Sequence, residues 1–325
     1  ERVFKKKENA RGWGSAGKEE NRMKNVLVCI DLGGTAMKAG VFRKDEGLSE
    51  KCVLPVHQDF EELSGEIMGF VDRMKEKYTV CGVAFSAPGA VDVHTGIIGG
   101  KSALPCIHGP AWIEVFSERT GVPAAIENDA NCAALAEVAY GNAKEYRDVA
   151  FVVCGTGIGG AVVIDKKIHY GANLYGGEFG CMVMRDENGN LSTFSAQAST
   201  MSFVRKLQEK YPEKEWNGKK VFEEAEKGNK ECVWFIDRFY HNLAEGIYNI
   251  QHVYDPEIIL LGGGISSREE FIPRLEEELG EIVRQVEAAV GTRVVTPHIN
   301  VCAFRNDANL IGAAANWTQR IGKAI

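Results

Sequence analysis

Apolar and polar positions alternate along the chain in a way that predicts strands and helices in a repeated order. The run VLVCI from Val26 ends on a polar Asp31, turns through two glycines and resumes as MKAGVF, the pattern of a hairpin of buried strands. Helical periodicity follows over 59–77, then a strand at Val80–Phe85, an amphipathic segment over 110–119, a strand over 122–126 and a helix over Asp129–Tyr140. After Arg147 the opening recurs: DVAFVVCGTGIGGAVVID again reads strand, glycine turn, strand. Two such openings predict two related halves.

Downstream, Ile236, Phe239, Leu243, Ile247 and Ile250 mark one face of a helix over 229–254 that Pro256 stops. A buried strand EIILLGGG comes next, then a helix over 268–287, a short strand within VVTPHINVCAF and a final helix from Ala308. Hairpins alternating with helices predict an α/β protein whose sheets are covered by helices. Its 325 residues exceed what one hydrophobic core usually organises, so two domains flanking a cleft are expected.

Composition narrows the classes. No apolar run approaches the roughly 18 residues of a membrane span, which argues against a membrane protein. Nine cysteines, none in a CxxC pair, indicate reduced thiols in the cytoplasm and are read mostly as small buried hydrophobes. The formal charge is −7, and residues 1–22 carry seven Lys and Arg against four Asp and Glu, so the body is the acidic part. An acidic body argues against a nucleic-acid partner. Residues 1–22 have neither the apolar stretch of a secretory signal nor sustained periodicity, and are read as a disordered tail preceding a natural start at Met23.

Three glycine segments each leave an apolar strand: Asp31-Leu32-Gly33-Gly34-Thr35, Gly155-Thr156-Gly157-Ile158-Gly159-Gly160, and Gly262-Gly263-Gly264. Backbone amides at such turns cradle phosphate, because glycine permits close approach. Any one of them is more often just a tight hairpin; the three together point to a nucleotide. Gly155-x-Gly157-x-x-Gly160 leads into a strand instead of a helix, so the dinucleotide-binding context fails, and GxxxxGK[ST] is absent. The expected arrangement is a nucleotide held between the first two turns, with Lys38 beside its phosphates and Gly263 and Gly264 beside purine and ribose. Asp31 is placed to hold Mg²⁺ next to the phosphates, or else to cap local amides.

Phosphoryl transfer to an alcohol needs a base near the attacking hydroxyl and little other covalent chemistry. Glu127-Asn128-Asp129 lies where an apolar strand enters a helix. On local sequence Asp129 reads equally as a helix cap.

IDLGGTAMKAGVF, FSAPGAVD, ENDANCAALAE, CGTGIGGAVVI, GGEFG and LLGGGIS, in this order, resemble the ROK family of bacterial sugar kinases and repressors from Met23 onward. The resemblance implies an actin-like ATPase (ribonuclease H-like) fold with a central cleft. It divides the chain into a smaller N-terminal α/β domain (23–128 plus 309–325) and a larger C-terminal one (129–308). It also implies ATP and Mg²⁺ as cofactors, a cytoplasmic homodimer or homotetramer, and a small-molecule sugar as acceptor. Asp129 then takes the proton from a sugar hydroxyl, and Asn128, Glu178 and Gly89 join it in binding the sugar.

Two departures from the family pattern stand out. Cys181 replaces the family's His, and the following stretch MVMRDENGNLSTFSAQAS contains no cysteine, so no structural zinc is expected. The family's closing Glu aligns with Ser195. Cys181 and Ser195 leave room beside the sugar ring for an aglycone or second sugar, which favours a kinase acting on the 6-hydroxyl of a β-glucoside; glucose and N-acetylmannosamine are the alternatives. A sugar-sensing repressor would need a helix-turn-helix module, which 22 polar residues cannot build.

Overall fold

A computed structural model describes residues 23–100 and 102–323. The reading of residues 1–22 lies outside this range. The first sheet contains β1 (Asn25–Leu32), β2 (Met37–Arg43), β3 (Gly47–Leu54), β4 (Thr79–Ala87) and, after a small hairpin of β5 (Ala90–Val91) and β6 (Ile98–Gly99), β7 (Ala124–Asn128). The second contains β8 (Val149–Cys154), β9 (Ile158–Ile164), β10 (Lys167–Ile168) and, beyond a hairpin of β11 (Val183–Arg185) and β12 (Leu191–Thr193), β13 (Ile258–Gly262) and β14 (Ile299–Val301).

The orders are β3-β2-β1-β4-β7 and β10-β9-β8-β13-β14. In each, the opening hairpin is antiparallel and the two later strands join in parallel. The two halves inferred from the repeated openings are therefore the same five-stranded unit used twice.

Parallel strands need crossover segments, and helices supply them. In the first half these are α1 (Phe60–Lys77), capped by Asp59 accepting from the Glu61 and Glu62 N–H groups, and α2 (Trp112–Thr120). The second half carries α4 (Phe194–Ala198), α5 (Thr200–Lys210), α6 (Gly218–Glu226), α7 (Lys230–Tyr254) and α8 (Phe271–Val290). Strand pattern extends less far into VVTPHINVCAF than its sequence suggests, because only Ile299–Val301 pairs with β13.

Helix α3 (Asp129–Tyr140) lies between the sheets, and α9 (Ala308–Ile321) packs on it and on the first sheet. Cys132 and Ala136 of α3 join the core under the first sheet with Leu27, Cys29 and Ala84, whereas Ala133, Ala134 and Val138 join the core under the second with Val149 and Phe151. A helix with apolar contacts on both sides must be apolar nearly all round, and the alanine-rich sequence of α3 fits that demand. Where α3 and α9 cross, a Cβ on Gly312 would stand 1.7 Å from the Cys132 carbonyl oxygen.

Cysteine burial is more varied than expected. Cys29, Cys132, Cys154 and Cys232 are buried, but Cys52 and Cys181 are exposed and the other three are intermediate. Cys52 lies in the run Ser49–Val53 of the edge strand β3, which is exposed on both faces. Among the described residues no helix is long and apolar enough to cross a membrane.

Candidate active site

The strand-to-helix corner at β7–α3 is built by its own side chains. Asn128 is the helix cap, its Oδ1 accepting from the N–H groups of Ala130 (2.9 Å) and Asn131 (3.2 Å). Its Nδ2 donates to the Gly89 carbonyl at 3.0 Å. Gly89 has φ +99°, and a Cβ there would lie 2.8 Å from the Gly99 carbonyl, so a glycine is required for this approach.

Because Asn128 takes the capping role, the Asp129 carboxylate is spared it. One of its oxygens accepts from the Ala130 N–H (2.8 Å), and the side chain stands at the positive end of α3, partly open to the cleft. Burial among protein groups, helped by the nearby charge of Asp31, outweighs the lowering hydrogen bond from the Ala130 N–H and holds its pKa above the usual aspartate range.

Asp129 borders a cleft of about 650 Å³ that the second and third glycine turns also line, through Gly155, Thr156, Gly157, Gly263 and Gly264. Gly263 has φ +98°, and a Cβ there would stand 2.0 Å from the Cys154 carbonyl oxygen, so the third turn presses on the root of the second. Gly155, Gly159 and Gly264 differ. None has positive φ, and no protein atom lies within 4 Å of where a Cβ would stand. Nothing in the protein itself demands glycine at these three positions, and all three face the cleft.

The second turn is braced from behind. The Gly155 carbonyl accepts from both the N–H (3.1 Å) and the hydroxyl (2.6 Å) of Thr200, and the Ser195 hydroxyl accepts from the Ile158 N–H at 3.0 Å. In a trans peptide the N–H points opposite to the C=O, so holding the Gly155 carbonyl on Thr200 turns the Thr156 N–H away from α5. Ser195 therefore anchors this turn and packs against Gly180, next to Cys181.

Asp31 is the penultimate residue of β1 and is buried. Its Oδ1 accepts from the Ser86 hydroxyl (2.9 Å) and Asn309 Nδ2 (3.0 Å), while Oδ2 lies 3.7 Å from Lys38 Nζ. Asn309 lines the cleft, as does Asn306, whose carbonyl accepts from Lys38 Nζ at 3.4 Å. Asp31 and Lys38 are thus tied to the cleft wall. Gly33, Gly34 and Thr35, on the turn that follows Asp31, do not line the cleft; Gly34 packs against Ala103. Glu178 and Cys181 are exposed at the ends of a single helical turn, outside the lining of the cleft, and the Glu178 carboxylate has no hydrogen-bond or ionic partner among the described residues.

Several cleft residues escaped the sequence reading. Arg305, Asn306 and Asn309 line it from the loop and first turn leading into α9. A polar Arg-Asn-Asp between a strand and a helix was the available signal. Glu137, two turns along α3, fixes this loop by accepting from the Phe304 N–H at 2.8 Å. Among the described residues no three His, Cys, Asp or Glu side chains gather closely enough to hold a metal alone.

Twin five-stranded sheets with α3 between them, and a cleft lined by glycine turns, define the actin-like ATPase fold. The chain belongs to the ROK family, whose model matches residues 27–320. It is 30% identical over 301 residues to a β-glucoside kinase of Klebsiella pneumoniae, covering 90% of this chain and 96% of that protein. It is 31% identical over 299 residues to a β-glucoside kinase of Listeria innocua, covering 90% and 97%. The crystal structure of a ROK family protein from Streptococcus pneumoniae in complex with sucrose superposes with a TM-score of 0.83 at 37% identity, covering 91% of this chain and 99% of that one.

Proposed function

We propose that the protein is an ATP-dependent sugar kinase that phosphorylates the 6-hydroxyl of a glucose-type sugar, preferentially a β-glucoside. The observation carrying this reading is that Asp129, with its raised pKa, shares one cleft with two glycine turns. Names of relatives that are β-glucoside kinases support the acceptor class.

ATP lies in the cleft with its base and ribose beside Gly263 and Gly264 and its phosphates between Gly155–Gly157 and the wall of Asn306 and Asn309 to which Asp31 and Lys38 are tied. The open space beside Gly155, Gly159 and Gly264 is what such a ligand needs. The Arg305 side chain, without a hydrogen-bond or ionic partner among the described residues, adds positive charge at the mouth. Mg²⁺ fits as a nucleotide-borne ion: Asp31 has one oxygen fixed by Ser86 and Asn309 and the other facing Lys38, so it would hold the ion as one ligand among phosphate oxygens and water. When bound, the ion neutralises charge on the phosphates.

Asp129 accepts the proton of the 6-hydroxyl as that oxygen attacks the γ-phosphorus; the bond to the β,γ-bridging oxygen breaks and ADP leaves. A raised pKa suits a base that must take up a proton during transfer. Asn128 and Gly89 shape the sugar side of this corner, with Glu178 and Cys181 on the turn opposite. The reading divides the chain into domains 23–128 plus 309–325 and 129–308, which close over the sugar and exclude water.

A coupled ADP-release assay with cellobiose, glucose and N-acetylmannosamine tests the proposal. Turnover highest with cellobiose is expected. Absence of sugar-dependent ADP release with all three would sink it.

A further inference from the structure

Glu127 is fully buried and does not touch the cleft. A buried carboxylate is costly unless satisfied, and this one accepts three hydrogen bonds. Its Oε1 takes the Asn128 N–H (2.8 Å) and Asn131 Nδ2 (3.0 Å), the two residues flanking Asp129 and Ala130. Its Oε2 takes the Tyr170 hydroxyl at 2.5 Å. That hydroxyl in turn accepts from Arg320 Nη2 (2.9 Å), and Arg320 Nε donates to Asn316 Oδ1 (3.0 Å), both on α9. Since Arg can only donate, the tyrosine proton is directed at Glu127 and the order of the chain is fixed. The guanidinium balances the carboxylate through one intervening hydroxyl.

Tyr170 comes from the other half of the molecule. It follows β10 at the edge of the second sheet, yet its ring packs against the core of the first. Its carbonyl accepts from the Gly176 N–H at 2.9 Å, closing the turn that runs on to Glu178. One side chain therefore connects the corner bearing Asp129 to the segment bearing Glu178.

We propose that Glu127 and Tyr170 are positioning residues that lock the Asn128–Asn131 corner and couple it to the turn carrying Glu178. The proposal rests on Asp129 being the base. Tyr170→Phe keeps the ring and removes the bond, leaving Glu127 without its third donor and Arg320 Nη2 without its acceptor. Steady-state kinetics of Tyr170→Phe, Glu127→Gln and the double variant, with thermal melting of each, test it. Each single variant is expected to lose about ten- to a hundredfold in kcat with KM for ATP within about twofold, and the double variant to lose no more than the worse single. A Tyr170→Phe kcat within about twofold of the parent, or losses that multiply in the double variant, would overturn the proposal. So would a kcat loss matched by an equal rise in KM for ATP.

Hydrogen exchange gives a readout independent of activity, and so separates failure of this proposal from failure of the kinase reading. In Tyr170→Phe the 128–131 amides are expected to exchange faster while those of β1 stay protected. Unchanged exchange at 128–131 would remove the positioning role whatever the enzyme does.

Discussion

Thr200 donates twice to the Gly155 carbonyl, once from its N–H at 3.1 Å and once from its hydroxyl at 2.6 Å. One residue at the start of α5 thereby sets which face of the second glycine turn offers its amides to the cleft. Removing the hydroxyl should weaken that orientation without emptying the core. Thr200→Val is expected to raise KM for ATP roughly three- to tenfold, the size of one lost hydrogen bond, with kcat little changed. Thr200→Ser should behave as the parent. Equal KM values for the Val and Ser variants would show that the bond does not act on the nucleotide.

Gly264 faces the open cleft, with no protein atom within 4 Å of where a Cβ would stand and no positive φ. Alanine there should fold as well as the parent, with an unchanged or slightly higher Tm because the unfolded chain loses freedom. Stabilisation by a non-hydrolysable ATP analogue in a thermal-shift experiment should nonetheless fall sharply. Full retention of that shift would place the nucleotide elsewhere.

Burial and the charge of Asp31 both raise the Asp129 pKa. As a base Asp129 must be ionised, so kcat/KM should fall on the acid side at a pH above the ordinary aspartate value of about 4. Asp31→Asn removes the like charge and should move the acid limb of the remaining activity to lower pH. A limb that moves up or stays in place would dissociate it from this pair.

Asp129→Asn should lose at least about a hundredfold in turnover, the usual effect of removing a general base. Stability should move the other way. A carboxyl whose folded pKa is raised favours the folded state below its unfolded value and loses that contribution as pH rises through the folded value, so Asp129 opposes folding at neutral pH. The Asn variant, which keeps an acceptor for the Ala130 N–H, is therefore expected to melt higher at pH 7. The gain should shrink as pH approaches about 4. Wild-type turnover in this variant would exclude Asp129 as the base.

Gly312 lets α9 cross α3, since a Cβ there would stand 1.7 Å from the Cys132 carbonyl oxygen. The neighbour is backbone and cannot swing aside. Gly312→Ala should destabilise the protein by about 3 kcal/mol or more in urea unfolding, at the upper end of overpacking costs. A loss below about 1 kcal/mol would mean the two helices can slide apart.

The sequence alone determined the central strands of both sheets, most long helices and the duplicated design, because these follow from local periodicity: Val26–Asp31 and Val149–Cys154 announce their sheets in their own residues, whereas the largely exposed β3 does not. Its motifs also named the Asp129 corner and the cleft-lining glycine turns. Local pattern did not reveal α4, α5 and α6, since short helices carry few periods. Only the folded chain decided that Asn128 and not Asp129 caps α3, that Ser195 and Thr200 stand behind a turn they are far from in sequence, and that Tyr170 reaches Glu127. Such contacts join residues 37 to 45 positions apart through single hydrogen bonds, whose partners are chosen by the packing of one sheet against another and leave no periodic trace along the chain.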